Sequence, residues 1–369
     1  VGGMKVALVT TSRADWNGLG MVALALEQRG ASVVILASDH HPAIDAIRSD
    51  KFEPVIFGDI HEDREKGSSA DNRLIARVGS FMPKLATALD KLSPQMLVLV
   101  GDRHEMVGVA FTAAMKGIPI AHIAGGDVSG GSLDERWRHA ITKMADLHFA
   151  TNYEASKRVL RMGEEKRDVY QLGSPSADRV VTTPILPRQR ALQAAGLPEG
   201  TRSFVMANWQ AESPGALAAL LAALTEYPGP GVMVGPNPDP GSKDVEKAIA
   251  SLPPRWVVRA TLPPQVYLSC LSYCLCLVGN SSSGFYEAPY YGTPVINVGD
   301  RQKGRTPHPN CMTDVPPTAL QITRAMNRAI VAGRFPVENV YGRGNAADLI
   351  ARTIMSYAGH TDWRKQFHD

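Results

Sequence analysis

At 369 residues the chain exceeds the size at which one hydrophobic core keeps growing, so two domains are expected. A formal charge of +3 with no dense Lys/Arg block does not suggest a nucleic-acid partner, and no apolar stretch is long enough to cross a bilayer, so neither nucleic acid nor membrane is expected as a partner. Of four cysteines, Cys270, Cys274 and Cys276 share one apolar run and Cys311 stands apart with no partnering histidine pattern, which argues against zinc and fits free thiols in a reducing cytoplasm, the expected location.

Lys5–Thr10 reads as a short apolar strand, followed by the turn Thr11–Gly18 and a helix through Gln28 that stops near Gly30. Ser32–Ala37 is the next strand. Helical patterns follow at Pro42–Ser49 and over the amphipathic stretch Asn72–Leu92. Met96–Val100 is fully apolar and ends in Gly101-Asp102-Arg103. A helix over His104–Lys116 leads to the strand Ile118–Ile123 and then to Gly125-Gly126. Leu147–Thr151, a helix over Glu154–Met162 and Val169–Leu172 continue the alternation. The pattern lapses over Thr182–Arg190, which reads as an interdomain linker dividing residues 1–183 from residues 184–345. A second series takes in Ser203–Asn208, Ala216–Thr225, Gly231–Val234, Lys243–Ser251, Trp256–Arg259, Gln265–Ser272 and Leu275–Val278. The helices Thr318–Ala332 and Ala346–Tyr357 end it, and residues 346–369 are expected to pack back on the first domain. Strands and helices alternating at this spacing imply βαβ units with parallel sheets, an α/β protein of two Rossmann-type domains. Such domains bind ligands at the carboxyl ends of their strands, here in an expected cleft between the two.

The most informative segment is Val278–Arg305, VGNSSSGFYEAPYYGTPVINVGDRQKGR. An apolar run meets a Gly-Asn-Ser-Ser-Ser-Gly turn, expected to open a helix carrying Glu287; Pro294–Val298 then ends in the cationic turn Asp300–Arg305. Backbone N–H groups at such a junction attract an anion, and the hydroxyls of Ser281, Ser282 and Ser283 add adjustable donors. Phosphate or diphosphate is the natural guest, with Arg301 and Arg305 supplying charge and Glu287 accepting from ribose hydroxyls. The competing reading is an ordinary strand–helix junction with a solvated basic loop.

Three acidic residues mark the first half. Asp102 follows one strand and Asp127 follows its neighbour after Gly-Gly, while Asp134 opens a helix containing Arg138 and His139. Carboxylates at neighbouring strand ends suit acid/base chemistry on a sugar carbon. Against that, Asp134 is a natural helix N-cap and Asp102 a candidate cap for the helix at His104. Asp127 is harder to explain structurally, since Gly-Gly lets a backbone approach a ligand closely. Arg138 and His139 either pack or meet the ligand.

These motifs together resemble a known family. AHIAGGDVSGGSLDERWRHAITKMADLHFATNYEASKRVLRMG, with GSPSADRV after it, GDRHE at Gly101–Glu105, PNPDPGS at Pro236–Ser242, GNSSSGFYEAP…GTPVINVGDRQKGR and TSRADWNGL at Thr11–Leu19 are similar to the hydrolysing UDP-N-acetylglucosamine 2-epimerases of sialic acid and related nonulosonate pathways. The resemblance covers nearly the whole chain in order. It implies a GT-B-like fold and a reaction in which UDP leaves C1 after loss of the C2 proton. Water then adds to the glycal to release N-acetylmannosamine. The scheme requires no cofactor and no metal, and the family leads us to expect a homo-oligomer, a dimer or tetramer. Carried over by motif, Asp102 and Asp134 match acidic active-site positions and Arg138 a substrate-contacting arginine. Arg13, Ser281, Ser282, Glu287 and Arg301 match nucleotide and diphosphate contacts, and Asp178 a further polar site residue. Two positions depart from the pattern. Asp127 replaces glutamate, one methylene shorter, and Asn208 stands where the family has histidine, which removes proton exchange near neutrality. A misplacement of roughly 1 Å can cost about a hundredfold in rate. A different sugar or nucleotide in the same family is therefore the first alternative and a GT-B glycosyltransferase the next; a binding protein without turnover is the last.

Overall fold

The computed structural model describes residues 3–39, 43–59, 70–128, 134–211, 214–236, 241–337, 340–363 and 365–368. Most of the motif at Pro236–Ser242, the stretch between Val128 and Asp134, and the side chain of Arg13 lie outside what is described. By contacts the described residues form two compact units, the first from residues up to 128, 134–179 and 341 onward, the second from residues 180–340.

In the first unit β1 (Lys5–Thr10), α1 (Arg13–Gln28), β2 (Ser32–Asp39), α2 (Ile44–Ser49) and β3 (Val55–Asp59) lead to the long α3 (Ala70–Leu92). The chain continues through β4 (Met96–Val100), α4 (His104–Met115), β5 (Ile120–Ile123), α5 (Asp134–Met144), β6 (Leu147–Ala150), α6 (Tyr153–Arg161), β7 (Val169–Gln171) and α7 (Pro175–Thr182). The strands form one parallel sheet in the order β3-β2-β1-β4-β5-β6-β7. Covered on both faces, the central strands are continuous apolar runs such as Met96–Val100, and Leu8, Val98 and Leu97 are fully buried. Each such residue contributes about 1.5–3 kcal/mol by burial, whereas an exposed pair such as Lys116–Asp90 adds roughly 0–1 kcal/mol. The sheet, not the surface charge pairs, fixes where the strand ends stand.

The second unit runs α8 (Arg188–Ala195), β8 (Val205–Asn208), α9 (Pro214–Glu226), β9 (Gly231–Val234), α10 (Ser242–Ile249), β10 (Trp256–Arg259) and α11 (Pro264–Tyr273). It continues with β11 (Leu277–Gly279), α12 (Ser283–Tyr286), a 3₁₀ turn (Ala288–Tyr291), β12 (Val295–Val298), β13 (Met312–Val315) and α13 (Ala319–Ala332). Its six strands are parallel in the order β10-β9-β8-β11-β12-β13. The last helix, α14 (Ala346–Ser356), buries Ala347, Ile350, Ala351 and Ile354 in the core of the first unit with Leu19, Val22 and Leu26 of α1. The four cysteines are buried free thiols. Among the described residues no helix is long and apolar enough to cross a membrane.

Strand order reverses between β1 and β4 in one sheet and between β8 and β11 in the other. In an open α/β sheet the crevice at such a reversal is where ligands bind. The turns beyond those four strands are Thr11-Ser12, Gly101-Asp102, Trp209-Gln210 and Asn280-Ser281.

Candidate active site

In the first unit the turn after β1 is held by one carboxylate. Asp15 accepts from Thr11 N at 3.1 Å, Thr11 Oγ1 at 3.2 Å and Ser12 N at 2.9 Å, while the Ser12 hydroxyl accepts from Asp15 N, a reciprocal capping box. Burial raises the Asp15 pKa to about 6, against the opposing pull of Arg103 and these donors. Beyond β4, Arg103 Nε donates to Glu105 at 2.7 Å and His104 Nδ1 lies 3.0 Å from the same carboxylate. Burial would raise Glu105, but His104 and Arg103 outweigh it and hold the carboxyl well below its usual range.

Asp102 does not cap α4. The N-cap position belongs to Arg103, whose side chain makes no capping bond, and Asp102 accepts instead from Arg138 Nη2. Arg138 Nη1 donates to the main-chain carbonyl of Asp127 and, at 2.7 Å, to Glu135 Oε2. Arg138 is 2% exposed. Burial alone would depress its pKa; Asp102, Asp127 and Glu135 outweigh that and raise it. One buried guanidinium thus ties the ends of β4 and β5 to α5. Asp127 is fixed a second time, its Oδ1 accepting from Thr151 Oγ1 at 2.6 Å. Gly126 makes the loop possible: at φ +76° its Cβ would fall 2.3 Å from the Ala155 carbonyl. Asp134 is the first residue of α5, and His139 Nε2 lies 3.4 Å from Glu135 Oε1. Beneath them His122 Nε2 meets the Gly101 carbonyl at 2.8 Å, and burial lowers its pKa to about 3, so it stays neutral and structural.

In the second unit Asn280 joins the two central strand ends. Its Oδ1 accepts from Gln210 N at 2.7 Å, its Nδ2 donates to Gln210 O at 3.0 Å, and its carbonyl accepts from Arg301 Nη1 at 3.2 Å and Gln302 Nε2 at 2.8 Å. The cationic turn therefore folds onto the serine turn, and Arg305 donates to Tyr286 Oη at 2.6 Å while lying over that ring. Ser281 Oγ accepts from Ser283 N at 3.3 Å. The helix expected to carry Glu287 is shorter than the sequence suggests: α12 has four residues and Glu287 sits at its C-cap, ahead of the 3₁₀ turn. So short a helix has little macrodipole, and charge for an anion must come mainly from the arginines. Burial raises the Glu287 pKa, partly offset by the Ser283 hydroxyl.

Two further expected site residues are buried and bonded within the protein. Asn208, expected among the residues acting on a ligand, is 4% exposed; its Nδ2 donates to Tyr267 Oη at 3.0 Å and its Oδ1 is buried without a partner. Asp178, expected at the substrate, is 2% exposed, and its two oxygens accept from Ala346 N at 3.1 Å and Ala347 N at 2.6 Å. It caps α14, because a carboxylate satisfies the unpaired amides and the positive end of a helix. Asp178→Ala should lower thermal stability by about 1–2 kcal/mol while leaving nucleotide affinity unchanged; loss of affinity without loss of stability would restore it to the ligand site.

A family model described as UDP-N-acetylglucosamine 2-epimerase matches residues 26–355. The chain belongs to that family. A Campylobacter jejuni relative, GDP/UDP-N,N'-diacetylbacillosamine 2-epimerase (hydrolyzing), is 26% identical over 328 residues, 82% of each chain. A Legionella pneumophila relative, UDP-N,N'-diacetylbacillosamine 2-epimerase (hydrolyzing), is 26% identical over 376 residues, 97% of each. Among solved structures, the Neisseria meningitidis UDP-GlcNAc 2-epimerase bound to UDP-GlcNAc has a TM-score of 0.79 at 16% identity, covering 96% of this chain and 100% of that one. The Methanocaldococcus jannaschii UDP-GlcNAc 2-epimerase in complex with UDP-GlcNAc and UDP has a TM-score of 0.76, also at 16% identity, with 96% and 100% covered. The fold class is thus the expected GT-B-like pair of parallel-sheet α/β domains, and the chain is an enzyme of the UDP-sugar 2-epimerase family.

Three residues bonded to these side chains in one unit or the other escape a reading of the sequence alone. Glu135 was legible in principle, three and four residues before Arg138 and His139 on one helix face. Thr151 and Tyr267 carry no local signal, because each is brought to its partner by a separate element.

Proposed function

We propose that the protein is a hydrolysing nucleotide-sugar 2-epimerase, converting UDP-N-acetylglucosamine and water to N-acetylmannosamine and UDP. The observation that carries this reading is the gathering of Asp102 and the Asp127 loop around the single buried guanidinium of Arg138. Two acidic residues held at neighbouring strand ends suit a reaction that removes a proton from C2 and later returns one. A carboxylate takes the C2 proton, and the C1–O bond breaks with its electron pair passing to the departing diphosphate, which leaves a 2-acetamidoglucal. Water oxygen then adds at C1 and a proton at C2 from the opposite face, inverting that centre. Asp102 is assigned to proton exchange at C2, with Asp127 and Asp134 serving the second transfer. Arg138 orients Asp102, and Arg13 and His139 supply further substrate contacts. The serine turn and Arg301 receive the diphosphate, whose leaving charge needs fixed donors, and Glu287 receives the ribose.

A second reading has its own support. Asp127 and Asn208 depart from the family pattern, and the two relatives above are named for N,N'-diacetylbacillosamine, so a UDP-linked 2,4-diacetamido sugar is the alternative substrate. One experiment tests both. The enzyme is incubated with each nucleotide sugar in deuterated water and the products are followed by NMR. The expected result is UDP release with deuterium at C2 of the 2-epimeric sugar. Release without deuterium, or release only on adding an acceptor, would replace elimination and rehydration with simple hydrolysis or transfer.

A further inference from the structure

Of the residues in α5 only Arg138, Ile141 and Thr142 are buried, and non-directional apolar contact over so small a surface does not fix a helix along its axis. Polar ties do that here. Thr142 Oγ1 donates to the Arg138 carbonyl at 2.9 Å, one turn back, and lies 3.2 Å from His122 Nδ1. The last turn of a helix leaves carbonyls short of intrahelical donors. A side chain from far along the chain reaches them: Lys365 Nζ donates to Thr142 O at 3.3 Å, to Ala145 O, and to Glu164 Oε2 at 2.5 Å. A cation suits this end of a helix, where the peptide dipoles gather negative charge. Glu164 completes the tie. It is 5% exposed and accepts from Lys143 Nζ of α5 at 2.6 Å and from His148 Nε2 of β6 at 3.0 Å. Burial would raise its pKa, but His148, Lys143 and Lys365 outweigh burial and hold it at about 2, so the carboxylate is ionised at neutral pH. The segment carrying Lys365 is seated on either side of it. Trp363 stacks on Tyr357, just past the end of α14, with ring centroids 5.3 Å apart. His368 N donates to Gly163 O at 3.1 Å, and Phe367 lies over Gly163, where a methyl group would come within 2.4 Å of the ring.

We infer that Lys365 is a positioning residue for the carboxylate site of the first unit, clamping the end of α5 so that Arg138 meets Asp102 and the Asp127 carbonyl in register. The inference rests on the reading of those carboxylates as the acid/base groups of a 2-epimerase. Arg138 stands four residues before Thr142, about 6 Å along the helix axis. A slip at the clamped end is therefore carried to the guanidinium and to the groups it holds. A misplacement of roughly 1 Å at a reacting group can cost about a hundredfold in rate, so the clamp bears on turnover as well as on stability.

The test compares steady-state UDP release with UDP binding by calorimetry in the full-length protein, well below its melting temperature. The substrate is whichever of UDP-N-acetylglucosamine and the UDP-linked 2,4-diacetamido sugar the wild type converts. Lys365→Met keeps the length of the side chain and removes its charge and donors. It should lower kcat about tenfold, less than the loss for a full 1 Å displacement, and leave KM and UDP affinity within about twofold. Hydrogen exchange at the α5 amides should quicken in the same variant. Glu164→Gln turns an amide NH₂ toward one of the two ammonium groups and should act in the same selective way, which keeps the test open if the lysine variant folds poorly. A kcat unchanged in both variants, whatever their melting temperatures, would mean a merely structural contact or an idle one. Equal loss of kcat and UDP affinity would mean a general loosening. Each of these overturns the inference and leaves the epimerase reading standing. Wild-type protein that releases UDP from neither sugar would overturn both.

Discussion

Asp102→Asn is expected to lower turnover about a thousandfold, within the range for losing a positioned acid/base group, while UDP affinity stays within about twofold. The substitution keeps the shape and an oxygen to accept from Arg138. The guanidinium therefore retains three partners: the introduced amide oxygen, Glu135 and the Asp127 carbonyl. What it removes is a group able to take a proton. Asp102→Ala would be a poorer test. It leaves a guanidinium that is 2% exposed short of a charge partner, and breaking a buried pair costs roughly 3–5 kcal/mol. Because the proposed UDP contacts other than Arg13 come from the other unit, binding and turnover should separate in the asparagine variant. UDP release by chromatography and UDP binding by calorimetry measure the two. A parallel collapse of both would make Asp102 a structural residue.

How far the sequence could be read depended on how each element is buried. The central strands β1, β4, β5, β8 and β11 are enclosed on both faces and announce themselves as apolar runs. The edge strands β3 and β13 do not. β3 has only the apolar triplet Val55–Phe57 before Gly58 and Asp59, with Val55 and Ile56 exposed, and Met312–Val315 carries two exposed polar residues in its middle, so neither is a long buried apolar run. The same contrast holds for the site. Asp102 and Asp127 stand directly beyond central strands, and their pairing through Arg138 follows from the order β4-β5 and from α5 coming next in the chain. The capping role of Asp178 was illegible because its partners, Ala346 and Ala347, are 168 and 169 residues away. Tyr267 is 59 residues from Asn208, and no periodicity in α11 marks it. The shortness of α12 was signalled more plainly. Pro289 and Gly292 follow Glu287 closely, and both oppose continuation of a helix.

Gly279→Ala should be the most damaging small substitution in the second unit. Gly279 ends β11 beside β8, at the reversal of strand order, with φ at +151°. A methyl group there would lie 1.8 Å from the Asn208 carbonyl oxygen and 2.6 Å from its Oδ1. Backbone strain and overpacking each cost about 1–3 kcal/mol, so a total of about 3 kcal/mol is expected. For a unit of this size that corresponds to a melting shift of roughly 6–12 °C, seen by calorimetry as earlier unfolding of the second unit. The functional loss should exceed what stability alone explains. The strand ends can relieve the clash only by parting, and parting them pulls Asn280 from Gln210, taking with it the carbonyl that receives Arg301 and Gln302. UDP affinity measured well below the new melting temperature should therefore fall, while the carboxylate cluster of the first unit is untouched. If UDP binds normally in a protein with an unchanged melting temperature, the close approach of β8 and β11 does not organise the nucleotide site.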